Sequence, residues 1–243
     1  MASSKTEITI LLDRSGSMNS VREATVRGIN EFIVKVNEEP GEGYWNLIQF
    51  DDWDSARGAG EVFPHTTFEN WPSHTLPNFG LQDYMPRGGT ALDDAVCLTI
   101  LKLKQRYSSL SEGAKPKVMF IIVTDGQENS SREYVPAKRR ELIAEAQSTL
   151  GWTFIFLGAD QDAFHEASKM GVATQAVRGL TSNKVQWEKT SGGVAAVYAN
   201  VAMGARNWKA DGNLTGEVLL GSATPDSGDK SLTDPGSSSA GTP

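Results

Sequence analysis

Residues 117–124, KVMFIIVT, run almost without polar interruption and stop at Asp125-Gly126. A strand that apolar has both faces covered, as in a parallel sheet flanked by helices. A second such run, GWTFIFLG at 151–158, follows a helix-patterned stretch near 133–150. A third, EITILL at 7–12, ends at Asp13; after it Val21, Thr25, Ile29, Phe32, Ile33 and Val36 repeat at helical spacing. Buried strands alternating with helices specify an α/β doubly wound, Rossmann-like fold: a mostly parallel sheet with right-handed crossovers and helices on both faces.

The remaining elements follow from the same patterns. YWNLIQF (44–50) reads as a strand ending at Asp51 and Asp52. EVFPHTTF (61–68) reads as a third strand, and its Pro64 puts it at the sheet edge. Residues 69–90 read as a loop, 91–107 as a helix, 162–170 as a short helix, 171–177 (GVATQAV) as an edge strand, and 192–208 as the last helix. Residues 1–208 therefore form one domain. From 209 to 243 the composition shifts to Gly, Ser, Thr, Asp and Pro, and only LTGEVLLG is strand-like. Such a tail has too little apolar material to order itself without a partner.

Charge and composition exclude several functions. The formal net charge of -7 argues against general nucleic-acid binding, which depends on Lys and Arg neutralising phosphates. Lys138, Arg139 and Arg140 are flanked by Glu133 and Glu141 and read as a solvated helix face. The single Cys97 excludes an internal disulfide, and the three dispersed histidines offer no zinc pattern. No apolar run is long enough to cross a membrane and the N-terminus lacks a signal segment, so the cytoplasm is the expected location. Neither a Ser/His nor a Cys/His pair is identifiable, and no glycine loop continues into Gly-Lys-Ser/Thr, so no enzyme is expected.

What remains is an oxygen cluster. In a doubly wound sheet ligands collect beyond the C-terminal strand ends, where strand order reverses. Asp13 and Asp125 end two buried strands there. Ser15 and Ser17 follow the first, and Gly88-Gly89 form a tight turn before Thr90. Two carboxylates and three hydroxyls make an all-oxygen shell that suits Mg²⁺, and also Mn²⁺ or Ca²⁺. The competing reading has Ser15, Ser17, Asn19 and Thr90 as helix caps.

The segments DRSGS (13–17), GGT (88–90) and TDG (124–126) resemble the three-part metal motif of von Willebrand factor type A domains. The resemblance spans about residues 5–205 and implies a six-stranded sheet with a metal-ion-dependent adhesion site. It implies Ser15, Ser17 and Thr90 as direct ligands, with Asp13 and Asp125 binding directly or through water. The ion would be completed by an Asp or Glu of a protein partner. DRSGSM…VREATVRGINEFI and FLGADQDAF are most similar to small stand-alone proteins of this type from bacteria and phages. Two further roles stand beside the adhesion module: a virion or assembly component whose metal site stabilises a subunit contact in an oligomer, and a metal-dependent hydrolase, for which no nucleophile–base pair is identifiable. Asp160 and Asp162 are expected on the same rim, as water-mediated contacts or helix caps. Asp51 and Asp52 also end a strand on that rim and are expected as rim groups near the ion, or as a second cation site. Trp53, Trp71 and Tyr84 are expected as exposed partner anchors or as a small satellite core.

Overall fold

The computed structural model describes residues 5–159, 163–175, 177–178, 180 and 182–210. The chain alternates β1 (Thr6–Asp13), α1 (Arg22–Asn37), β2 (Gly43–Phe50), α2 (Trp53–Gly58) and β3 (His65–Pro72). There follow α3 (Leu92–Ser108), β4 (Lys117–Thr124), α4 (Pro136–Ser148), β5 (Thr153–Ala159), α5 (Ala163–Met170), β6 (Lys184–Trp187) and α6 (Ser191–Ala210). The six strands form one sheet in the order β3-β2-β1-β4-β5-β6. All neighbours are parallel except β3, which runs antiparallel to β2 at the edge where Pro64 is expected. The expected doubly wound sheet with helices on both faces is what the chain forms.

Alternation along each strand divides the core into two layers. Ile8, Ile10 and Leu12 pack with Ile29, Phe32 and Ile33 of α1 and Tyr198, Val201 and Trp208 of α6. Leu11, Ile48 and Phe50 face the other way, onto Val96, Ile100 and Leu103 of α3 and Leu142 and Ile143 of α4. Cys97 is buried in that second layer as a free thiol.

Four elements differ from the sequence reading. The six-residue α2 appears where a loop was expected; Asp52 caps it by accepting from the Ser55 amide at 2.8 Å. β3 continues to Pro72, into the expected loop. Helix α4 begins at Pro136, where the ring fits the first helical position, instead of near 133. The last edge strand is 184–187 and not 171–177. There the Gln175 side chain accepts from Phe154 N (2.8 Å) and donates to Trp152 O (2.9 Å), while Asn183 donates to Phe154 O and Ala173 O, both at 3.0 Å. Side-chain amides thus take the backbone groups at the start of β5 that a strand would otherwise use.

Helix α6 runs two residues past the expected domain end, and the Lys209 ammonium donates to Glu39 O at 2.6 Å. Most of the expected tail, 211–243, lies outside the described residues. The α1–α6 seam depends on a close approach: a Cβ at Gly28 would stand 2.5 Å from Cδ2 of the buried Tyr198 ring. Overpacking of this kind costs about 1–3 kcal/mol and outweighs the roughly 1 kcal/mol by which Ala exceeds Gly as a helix former. Gly28→Ala is therefore expected to lower stability in urea unfolding. A gain would show that the ring has room to move.

Candidate functional site

The strand order places the ends of β1 and β4 side by side, with Leu12 opposite Val123. At that point Asp13 is wholly buried. Its Oδ1 accepts from Ser15 N and its Oδ2 from Thr124 Oγ1, both at 2.7 Å. The Tyr84 hydroxyl donates to the Asp13 carbonyl, also at 2.7 Å. Ser15 Oγ and Ser17 Oγ lie 3.0 Å apart, and Ser17 Oγ donates to Asp125 Oδ1 at 2.7 Å. The Lys189 ammonium stands 2.5 Å from Asp125 Oδ2. Thr90 closes the far side: a Cβ on Gly126 would meet its Oγ1 at 3.4 Å. Its amide donates to Asn129 Oδ1 at 2.9 Å.

Two backbone bonds join the loop after β1 to the Gly-Gly-Thr loop: Gly16 N to Gly88 O (3.1 Å) and Arg87 N to Arg14 O (2.8 Å). Gly88 has φ of 63°, and a Cβ there would stand 2.1 Å from Asp52 Oδ2, so only glycine fits. Asp13, Ser15, Ser17, Thr90 and Asp125 are thus brought to one rim. Ser15 opens a short 3₁₀ turn (Gly16–Val21) without a side-chain capping bond, and the residue before α3 is Ala91, not Thr90. Asn19 lies inside that turn, and the residue before α1 is Val21.

This geometry corrects the metal expectation. Among the described residues no group of three or more His, Cys, Asp or Glu side chains gathers to hold a metal ion. The oxygens assigned to an ion are instead bonded within the chain: Asp13 to Ser15 and Thr124, Ser15 to Ser17, and Asp125 to Ser17. Lys189 supplies the positive charge beside Asp125. No Mg²⁺, Mn²⁺ or Ca²⁺ site is therefore supported among the described residues, which corrects the expected metal-ion-dependent adhesion site. With it go the partner Asp or Glu bound through the ion, the metal-stabilised subunit contact and the metal-dependent hydrolase.

Burial pushes the Asp13 carboxyl up to about 6. The bonds from Thr124 and Ser15 work in the opposite direction, and the nearby Asp125 charge adds to the rise.

The second cation expected at Asp51 is replaced by arginines. Asp51 Oδ2 accepts from Arg14 Nε (3.2 Å) and Arg87 Nε (2.7 Å). Glu61 Oε2 binds Arg87 Nη2 at 2.7 Å and also pairs with Arg14 Nη2. Burial first, and then the Arg14 charge, lowers the His65 pKa beside this network. Asp160 and Asp162 lie outside the described residues.

The three aromatics do not form an exposed anchor set. Tyr84 is fully buried. Trp53 lies against Phe63, with ring centroids 4.5 Å apart, and donates to Asp94 Oδ2 at 2.7 Å. Trp71 is exposed but lies in register with Trp45 toward the opposite end of the sheet from the rim.

One rim carboxylate, Asp94, escaped the sequence reading, and Asp52, expected beside Asp51, serves a different role. Asp52 accepts from Gly89 N at 2.5 Å as well as capping α2. Buried Asp94 accepts from the amides of Arg132 (2.6 Å) and Tyr134 (2.7 Å), from Glu133 N, and from Trp53 Nε1. The only sequence signal for Asp94 was the unexplained acidic pair Asp93-Asp94.

A family model described as the von Willebrand factor type A domain matches residues 7–192. The chain belongs to this family. Type A domains are typically non-catalytic adhesion and adaptor modules. No curated protein matches it. Among solved structures it is similar to the mussel byssus proximal thread matrix protein 1, with a TM-score of 0.56 and 17% identity over 84% of this chain and 48% of that one. It is also similar to the pilus adhesin SpaC of Lactobacillus rhamnosus GG, with a TM-score of 0.60 and 15% identity over 85% of this chain and 30% of the adhesin. The type A domain here therefore spans less than half of either. Among the described residues no helix is long and apolar enough to cross a membrane.

Two outcomes follow from the site. The folded-state pKa of Asp13 (about 6) lies above its ordinary 3.8. Its contribution is fully present below about pH 4 and is lost as pH rises through 6, about 3 kcal/mol in all. Asp13→Asn is expected to flatten that part of the stability–pH curve; an unchanged curve would contradict the assignment. Asp94→Ala is expected to destabilise by about 3 kcal/mol, because it orphans several buried donors. Hydrogen exchange should then show lost protection at Arg132–Tyr134, and retained protection would remove Asp94 from this role.

Proposed function

We propose that this chain is a non-catalytic protein-binding module that meets its partner with the rim beyond β1, β2 and β4, without a divalent ion. The observation that carries the reading is the exposed apolar surface at that end. Val62, Leu81, Met85 and Val135 stand 81, 40, 52 and 63% exposed on loops or turns beyond the C-terminal strand ends. Leu81 and Met85 flank Arg22, whose Nη2 donates to Leu81 O (2.5 Å) and approaches Met85 Sδ (3.0 Å). Exposed apolar side chains on a scaffold of fixed loops suit protein contact better than small-molecule chemistry.

Asp13, Ser15, Ser17, Thr90 and Asp125 serve in this reading as the polar centre that fixes those loops. The likeness to an adhesin and a thread matrix protein supports the fold and is compatible with adhesion or assembly. The module in this reading extends through α6 to Ala210. Its compartment, cytoplasm or assembled particle, belongs to the same proposal.

A photo-crosslinker placed at Met85 and, as a control, at Leu150 tests the reading in the native host. Adducts from Met85 alone, surviving EDTA and lost on Leu81→Glu, are expected. Equal adducts from both positions, or none from Met85, would contradict it.

A further inference from the structure

The Asp125 side chain has no solvent exposure, and its Oδ2 receives no aligned hydrogen bond. A buried carboxylate left in that state is strongly unfavourable unless a positive charge compensates it. Among the described residues Lys189 reaches it, at 2.5 Å, with its own side chain 24% exposed.

The turn between β6 and α6 is built to aim that side chain. Thr190 N donates to Glu188 O at 2.7 Å, Gly193 N to Thr190 Oγ1 at 3.0 Å, and Val194 N to Thr190 O at 2.9 Å. A Cβ at Gly193 would stand 2.1 Å from Glu188 O, so the turn closes only with glycine there. The same carboxylate is tied through Ser17 to Ser15, and Ser15 N to Asp13.

We propose that Lys189 is the built-in counter-ion of the rim: its ammonium neutralises buried Asp125 and lets the Asp13, Ser15, Ser17 and Thr90 loops assemble without a divalent cation. This goes beyond the protein-binding reading, which needs only the rim's exposed surface. It also explains why an oxygen-rich rim stays closed on its own hydrogen bonds. A tethered ammonium is always present at high local concentration, whereas a free ion must be recruited.

Thermal unfolding of the full chain in EDTA and in excess Mg²⁺ tests the proposal, using wild type, Lys189→Met, Lys189→Arg and Asp125→Asn. Wild type is expected to melt at the same temperature in both buffers. Lys189→Met should lower Tm by roughly 5 °C in EDTA, as expected when one partner of a covered ion pair is removed. Lys189→Arg should recover most of that loss. Adding Lys189→Met to Asp125→Asn should cause little further loss, because the pair is already broken. A Lys189→Met melt equal to wild type would overturn the proposal. So would a Mg²⁺-dependent rise in wild type that Asp125→Asn abolishes, since the ion and not the ammonium would then be the counter-charge.

Discussion

The rim depends on a carboxylate that water does not reach. Asp13 spans the ends of β1 and β4, taking a backbone donor from one segment and a hydroxyl donor from the other. It sits where strand order reverses, between neighbours that are far apart in sequence. Burial strengthens those bonds and penalises the charge together, which is why its pKa rises despite good partners. Tyr84 binds the carbonyl of the same residue, so the Gly-Gly-Thr loop is positioned from this point as well.

Several charges around Asp13 are paired within the chain. Asp125 faces Lys189, Asp51 and Glu61 share Arg14 and Arg87, and Asp93 pairs with Arg139. Removing one member of such a pair is costly even where the pair itself adds little net stability. Self-neutralisation leaves shape, hydroxyls and the apolar side chains on the loops as the features a partner meets. That differs from a surface whose affinity would rest on one coordinated ion.

Much of this was legible in the sequence. β1, β2, β4 and β5 were readable because a strand covered on both faces needs a continuous apolar run, and the convergence of Asp13, Ser15, Ser17, Thr90 and Asp125 follows from strand ends meeting at one rim. β6 was misplaced because KVQW is short and half polar, while GVATQAV has better strand composition but meets side-chain amides at the sheet edge. The arginines were invisible for a different reason. Arg14 occupies a position in DRSGS that any residue could fill, and only the fold brings Arg87 beside it. Lys189 had no local signal, because its role exists only once the turn after β6 faces the end of β4. Residue types alone could describe an oxygen shell without showing that the chain supplies its own cation.

The most direct measurement is a crystal structure grown with excess manganese, with anomalous data collected at the manganese edge. The account predicts no anomalous peak among Asp13, Ser15, Ser17, Thr90 and Asp125, with Lys189 Nζ against Asp125. A peak at that position, with the Lys189 side chain turned away, would contradict it.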